Sequence, residues 1–133
     1  MSVLSQLRPR SVFDYFEKLC SVPHGSGNTK IISDLCVSFA RELGLKYRQD
    51  AMNNVIIWKD ASPGYEGAAP IILQGHIDMV CTKTEGCTKD MAKEGLDLET
   101  DGEWVWAKDT TLGGDNGIAV AMALAILADG ALP

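Results

Sequence analysis

Apolar residues recur at helical spacing in two stretches near the start of the chain. The first covers residues 11–20 and the second residues 28–44. In both stretches the apolar positions fall on one face of a helix. Each stretch begins at a residue that can cap a helix, Ser11 or Asn28. The pattern therefore predicts two amphipathic helices that each bury one face.

Between these helices and the end of the chain, the pattern predicts strands. Apolar and polar residues alternate over 45–49, and a second strand is predicted over 54–59 (NVIIWK) after an Asn-Asn turn. A loop rich in Pro and Gly follows at 62–69. The continuous apolar run 70–75 (PIILQG) is typical of a strand buried on both faces of a parallel sheet. Residues 96–107 predict a hairpin that turns at residues 100–103. Alternating helices and strands indicate an α/β layered fold.

The last predicted element is a helix over residues 117–128 that carries no charge. A helix that is apolar all round is typical of one buried on every side. No strand follows it before the last residue, so we expect the 133 residues to be the first part of a longer fold. In this chain alone the helix should then expose apolar surface and leave the chain marginally stable.

Composition narrows the classes of function. Hydrophobic residues make up 46% and charged residues 23%, which argues against disorder. Lys and Arg total 12 against 18 Asp and Glu, and no basic stripe is present, which disfavours binding to nucleic acid or to an anionic membrane. No secretory signal or membrane-spanning run is visible. The four cysteines form no CxxC pair and are expected to be reduced thiols in the cytoplasm.

The first candidate for chemistry is the His76-Ile77-Asp78 sequence after the predicted buried strand. The strand period of two places His76 and Asp78 on the same face, at the sheet edge where open α/β folds bind ligands. One imidazole nitrogen can bind a metal while a carboxylate holds the other. A histidine at a strand end that simply bonds to a neighbour is the alternative, and spacing alone leaves both open.

The second candidate is the glycine-rich turn 113–117, which contains Asp115 at the start of the final helix. A helix N-terminus stabilises an ionised carboxylate, and such a carboxylate can bridge two cations. A simple helix cap is one alternative. Another is a non-enzymatic α/β binding module that holds an anion or nucleotide at 113–117. The absence of GxGxxG and GKS/T patterns and the acidic side chain disfavour the phosphate interpretation.

Other conspicuous side chains are expected to have no chemical role. His24 lies in a loop between Pro23 and Gly25 and is predicted to be solvated. Cys81 has no neighbouring His or Asp that would mark it as a nucleophile.

Taken together, QGHIDMV at 74–80 and TTLGGDNGIAVAMALAIL at 110–127 resemble motifs of the cytosolic Xaa-His dipeptidases. This family is also called aminoacyl-histidine dipeptidase, beta-alanyl-histidine dipeptidase or peptidase D, and it belongs to the co-catalytic zinc peptidase superfamily. The resemblance extends over most of the chain. It implies that residues 1–133 are the N-terminal segment of a three-layer αβα catalytic domain with a mixed, largely parallel sheet. The lid and dimerisation domain and the second half of the catalytic domain would be missing.

The resemblance also implies roles for three residues. His76 would bind one Zn²⁺, Asp78 would be the carboxylate of the catalytic site that orients His76, and Asp115 would bridge two Zn²⁺, with a cis peptide bond before Asn116. Other divalent metals are possible. The full-length protein would be a cytoplasmic homodimer that hydrolyses dipeptides of the Xaa-His type. Its glutamate general base and remaining ligands would follow the last helix. We therefore expect these 133 residues alone to be inactive and to bind zinc weakly.

Overall fold

The computed structural model describes residues 2–132 and contains both helices and strands, as the sequence predicts. The elements do not alternate, because the four strands follow one another between the second and third helices. Within these residues, three helices accompany two antiparallel sheets of two strands each. The elements are α1 (Arg10–Cys20), α2 (Lys30–Glu42), β1 (Lys46–Gln49), β2 (Val55–Trp58), β3 (Leu98–Thr100), β4 (Val105–Ala107) and α3 (Gly114–Ala128). The α/β class is therefore confirmed.

Helix α1 packs one face against α3. The helix begins at Arg10, directly after Pro9, and not at the predicted cap Ser11. A proline just before the first turn removes no hydrogen bond, since the first amides of a helix have no partner within it. The buried side chains of α1 join those of α3 in one apolar core, whose members include Val12, Phe16, Leu19, Cys20, Ala121, Leu124 and Ala125.

Helix α2 begins two residues later than predicted. Asn28 does not cap it; its amide N–H donates to Gly25 O (2.8 Å) and its side chain donates to Ala92 O (3.0 Å). The residue thus holds a loop and leaves Thr29 as the N-cap. An edge-to-face contact between Tyr15 and Phe39, with ring centroids 5.2 Å apart, connects α2 to α1.

Strands β1 and β2 lie where two strands are predicted, and they pair with each other as an antiparallel hairpin. At the open end of the hairpin Lys46 pairs with Trp58, and next to the turn Gln49 pairs with Val55. In the turn, Asp50 Oδ1 accepts hydrogen bonds from the amides of Met52 and Asn54, both at 2.9 Å. Such a local Asx interaction is the reason that Asp and Asn predict turns well.

Strands β3 and β4 form the predicted hairpin, in which Leu98 pairs with Ala107. Its turn is closed by Asp101, whose Oδ1 accepts from the amides of Glu103 (3.0 Å) and Trp104 (2.8 Å). The start of the hairpin segment crosses the end of α1, where the Leu96 amide donates to Cys20 O at 2.8 Å.

The apolar run 70–75 differs from its prediction. It is not part of a strand, and Ile71 and Ile72 are 86% and 88% exposed. A strand requires a neighbour about 4.8 Å away to accept and donate its hydrogen bonds, and residues 2–132 place no strand beside this run. The largely parallel sheet is likewise not formed by the described residues. The predicted burial of 70–75 is therefore wrong for this chain.

Helix α3 is buried on one side only. Ala121, Leu124 and Ala125 face the core, whereas Met122 and Ile126 are 50% and 42% exposed. The burial on every side for which this sequence is suited is not reached within residues 2–132, and the expectation that the helix exposes apolar surface in this chain is confirmed. None of the helices within residues 2–132 has both the length and the apolar character that a membrane span requires.

Candidate metal centre

The segment after residue 75 passes close to the first turns of α3, which brings together two candidate motifs that are distant in sequence. A Cβ atom added to Gly75 would lie 3.1 Å from Val120 Cγ2 and 3.6 Å from Ala119 Cβ. Glycine therefore allows a close approach that a larger residue would hinder. As a result, the His76 side chain reaches the start of the helix.

His76 lies between two carboxylates. Its Nδ1 is 3.1 Å from Asp78 Oδ1 and also 3.1 Å from Asp78 O, and its Nε2 is 3.0 Å from Asp115 Oδ1. Both ring nitrogens thus face acceptors, an arrangement that is fully satisfied only when both carry a proton. The hydrogen bond to Asp115 and, to a smaller extent, the contacts with Asp78 raise the pKa of the His76 imidazole above 6.5.

Asp78 is held from its other side by a serine. Ser26 Oγ donates a hydrogen bond to Asp78 Oδ2, while Asp78 Oδ1 is the oxygen that faces His76. The hydrogen bond from Ser26, and secondarily that with His76, lowers the pKa of the Asp78 carboxyl below 3.8. The carboxylate therefore stays ionised, as a partner for the imidazole must.

Asp115 lies at the start of α3 but does not have helical dihedral angles. Gly113 precedes the helix in the left-handed region (φ +71°), and Asp115 and Asn116 depart from helical φ and ψ values. The peptide bond between Asp115 and Asn116 is cis, which confirms the expectation from the resemblance. The Asp115 side chain is 95% exposed. Apart from the contact with His76, its carboxylate is thus open to solvent and to ligands.

These donors fit part of a metal site. Two atoms bound to one zinc ion at about 2.0–2.2 Å must lie within about 4 Å of each other, as His76 Nε2 and Asp115 Oδ1 do. Because Asp78 contacts Nδ1, the other ring nitrogen, Nε2, is the one left to bind a metal. A carboxylate on the second ring nitrogen is common among metal-bound histidines. Within residues 2–132 no group of three or more His, Cys, Asp or Glu side chains surrounds a common metal position. The described residues thus offer two donors.

The glycine-rich turn 113–117 is a poor cradle for an anion. A phosphate at the N-terminus of α3 would meet the Asp115 carboxylate, which carries the same sign of charge. The alternative of an anion-binding or nucleotide-binding module therefore gains no support from the structure.

Two residues near the site differ from what the sequence suggests. The prediction that His24 is solvated is wrong: it is only 5% exposed, and its Nδ1 lies 2.7 Å from Val22 O. Ser26 is a site residue that the sequence alone does not reveal. Its partner Asp78 is 52 positions away, so no local spacing could have revealed the contact.

The four cysteines are unpaired, with Cys20 and Cys36 buried.

Known proteins match nearly the whole chain. No protein-family model matches it. A curated relative, the cytosol non-specific dipeptidase of Escherichia coli (strain K12), is 44% identical over 129 residues, which cover 97% of this chain and 27% of the relative. The crystal structure of the aminoacylhistidine dipeptidase from Vibrio alginolyticus superposes with a TM-score of 0.92 at 42% identity, covering 97% of this chain and 26% of that one.

The chain therefore spans about a quarter of the length of the relatives it matches. The high TM-score also confirms the α/β fold class on a solved structure. Over nearly its whole length the chain is similar, in sequence and in fold, to aminoacylhistidine and cytosol non-specific dipeptidases, and the resemblance inferred from its motifs is confirmed.

Proposed function

We propose that this chain forms part of the catalytic domain of a cytoplasmic, metal-dependent dipeptidase. The observation that carries the proposal is the contact of His76 Nε2 with Asp115 Oδ1 at 3.0 Å, with Asp78 behind the imidazole. This juxtaposition occurs in a chain that is 44% identical to a dipeptidase over 97% of its length. Geometry and similarity thus support the same chemistry.

Each of the three site residues has a distinct task in this proposal. His76 would contribute Nε2 as a metal donor, which requires that this nitrogen carry no proton. Asp78 accepts the Nδ1–H hydrogen bond, which selects the tautomer that leaves Nε2 available. Asp115 provides two carboxylate oxygens on an exposed side chain, as a ligand shared between two cations requires.

The group these residues would hold is a pair of Zn²⁺ ions or another divalent metal. Bound at this position, the metal supplies polarisation of the scissile carbonyl and a lower pKa for a coordinated water. A catalytic zinc takes about three protein ligands, so the remaining ligands and the general base belong outside residues 2–132. The family resemblance assigns them to sequence that follows α3.

We propose that the substrates are dipeptides, among them those with a C-terminal histidine. This substrate class is suggested by the names of the relatives, one a non-specific and one an aminoacylhistidine dipeptidase. The resemblance further suggests that the intact protein is a homodimer.

The test is hydrolysis of Xaa-His dipeptides by the complete gene product. We expect activity that is lost on incubation with a chelator and regained on addition of Zn²⁺. His76→Ala and Asp115→Asn should each lower kcat/KM at least about 100-fold, because removal of a ligand exceeds the 10- to 100-fold loss typical for a partner of a ligand.

Asp60→Asn is a matched control, since Asp60 is an exposed aspartate in the loop that follows β2. It should leave kcat/KM within twofold of the unchanged protein, an interval of about 0.4 kcal/mol. Full turnover by His76→Ala, or turnover that is insensitive to chelation, would refute the proposed roles.

A further inference from the structure

The loop that follows α1 is fastened to the segment that carries Asp78. The Met79 amide donates to His24 O at 3.0 Å, and the Ser26 amide donates to Met79 O at 3.1 Å. These two bonds form a parallel bridge between Gly25 and Met79. The position of Ser26 relative to Asp78 is therefore set by the main chain, independently of the serine side chain.

From this position, the Ser26 hydroxyl engages one oxygen of Asp78 and leaves the other for His76. Ser26 Oγ donates to Asp78 Oδ2, and Asp78 Oδ1 lies 3.1 Å from His76 Nδ1. A carboxylate can otherwise rotate about its Cβ–Cγ bond. Anchoring one oxygen sets the plane of the carboxylate and hence the direction from which the second oxygen meets the imidazole.

The chain of contacts then continues to the second candidate ligand. His76 Nε2 lies 3.0 Å from Asp115 Oδ1, so a continuous series of hydrogen bonds runs from Ser26 through Asp78 and His76 to Asp115. Three parts of the chain meet in it: the loop after α1, the segment 76–79 and the first residues of α3. A displacement of Asp78 would therefore reorient the histidine.

We propose that Ser26 is a positioning residue of the metal centre, whose hydroxyl holds the Asp78 carboxylate so that His76 presents Nε2 toward the metal. This inference rests on the proposed function. Ser26 touches neither metal nor substrate; it acts through Asp78. Partners of metal ligands typically change metal affinity 10- to 100-fold when removed. Ser26 is one contact further away, so we expect the lower end of that range.

The test uses the complete protein after metal removal, with Zn²⁺ alone as the probe and a chromophoric chelator as competitor. Ser26→Ala should weaken Zn²⁺ binding about tenfold and lower kcat more than it changes KM. Ser26→Thr, which keeps a hydroxyl, should restore most of the affinity. Ser26→Ala should shift the urea midpoint only slightly, because a single hydroxyl contact is lost while the main-chain bonds of the loop remain.

Ser21→Ala is the matched control. Ser21 is an exposed serine at the end of α1 whose hydroxyl donates to Lys18 O at 2.6 Å, away from Asp78. The Ser21→Ala variant should bind Zn²⁺ as tightly as the protein without substitutions. Unaltered affinity in Ser26→Ala, together with weakened binding in His76→Ala, would overturn the role of Ser26 and leave the proposed function intact. If the protein without substitutions binds no Zn²⁺, both the role of Ser26 and the proposed function are overturned. A Ser26→Thr variant as weak as Ser26→Ala would likewise contradict the positioning role.

Discussion

Helices α1 and α3 pack against each other, yet their sequences are suited to different surroundings. Helix α1 has one apolar face and one polar face, and most of the apolar face is buried within the chain, at Val12, Phe16, Leu19 and Cys20. Helix α3 carries no charge from Gly117 to Ala128, yet only one side of it is covered. The difference shows that a hydrophobic pattern specifies how many sides of a helix need cover. Which segments supply that cover depends on contacts far away in the sequence.

The largest test of this comparison removes a side chain between the two helices. Phe16 is 3% exposed, and its ring lies close to Gly117 at the start of α3. Phe16→Ala should lower the free energy of unfolding by about 3–5 kcal/mol, because it leaves a cavity where the helices meet. Urea denaturation measures the change.

Met122→Ala is the counterpart on the outer side of α3. Since that side chain is half exposed, its loss should cost about 1 kcal/mol or less. Similar losses for Phe16→Ala and Met122→Ala in residues 1–133 would break the comparison, since they would mean that both sides of α3 are packed equally tightly.

The next test concerns the point where the β3–β4 segment crosses the end of α1. A Cβ atom added to Gly95 would lie 2.3 Å from Ser21 O, which is main chain and has little room to move. Gly95→Ala should therefore lower the free energy of unfolding by about 1–3 kcal/mol. Gly67→Ala, at a position where an added Cβ meets no atom within 4 Å, should change it by about 0.5 kcal/mol or less. Equal stability of the two variants would contradict the close crossing.

The smallest effect is expected from Glu17, on the polar side of α1. Burial alone would raise the pKa of its carboxyl, but hydrogen bonds from the Ser2 hydroxyl and the amides of Val3 and Leu4 outweigh burial and lower it below 4.5. A lowered pKa contributes stability that is present above pH 4.5 and lost as the pH falls through the folded-state value.

Glu17→Gln should therefore cost about 1 kcal/mol or less at neutral pH, since solvent screens the partly exposed carboxylate. The variant should also lose less of its stability on acidification below pH 4.5. Thermal unfolding scans between neutral and acidic pH measure the difference. If the stability of the two proteins changes with pH in parallel, the hydrogen bonds of Glu17 contribute nothing to stability.

Elements that depend on nearby residues could be predicted from the sequence. Both hairpins form where turn residues suggest them, since Asp50 and Asp101 bond to amides only a few positions away. The start of α2 could not be predicted, because Asn28 bonds to Ala92 in a distant loop. The prediction that residues 70–75 are buried failed for the same reason, since burial of this run depends on neighbouring strands and not on the run itself.

The candidate metal centre was predictable in part. The prediction that His76 and Asp78 lie on the same side of the chain agrees with their contact, although no strand forms there. The proximity of Asp115 followed from the family resemblance and not from spacing, and the structure brings its carboxylate to His76. Ser26 and the burial of His24 could not be foreseen, since both depend on how the loop after α1 pairs with Met79.

The hydrogen bonds of the site also bear on the order in which the chain folds. Ser26 and Asp78 are 52 positions apart, and His76 and Asp115 are 39 apart. Closing a loop of either length costs about 3 kcal/mol of chain entropy, whereas the hairpins close over a few residues. We therefore expect the hairpins and helices to form before the site, so that the geometry needed to bind a metal arises only in the last steps of folding.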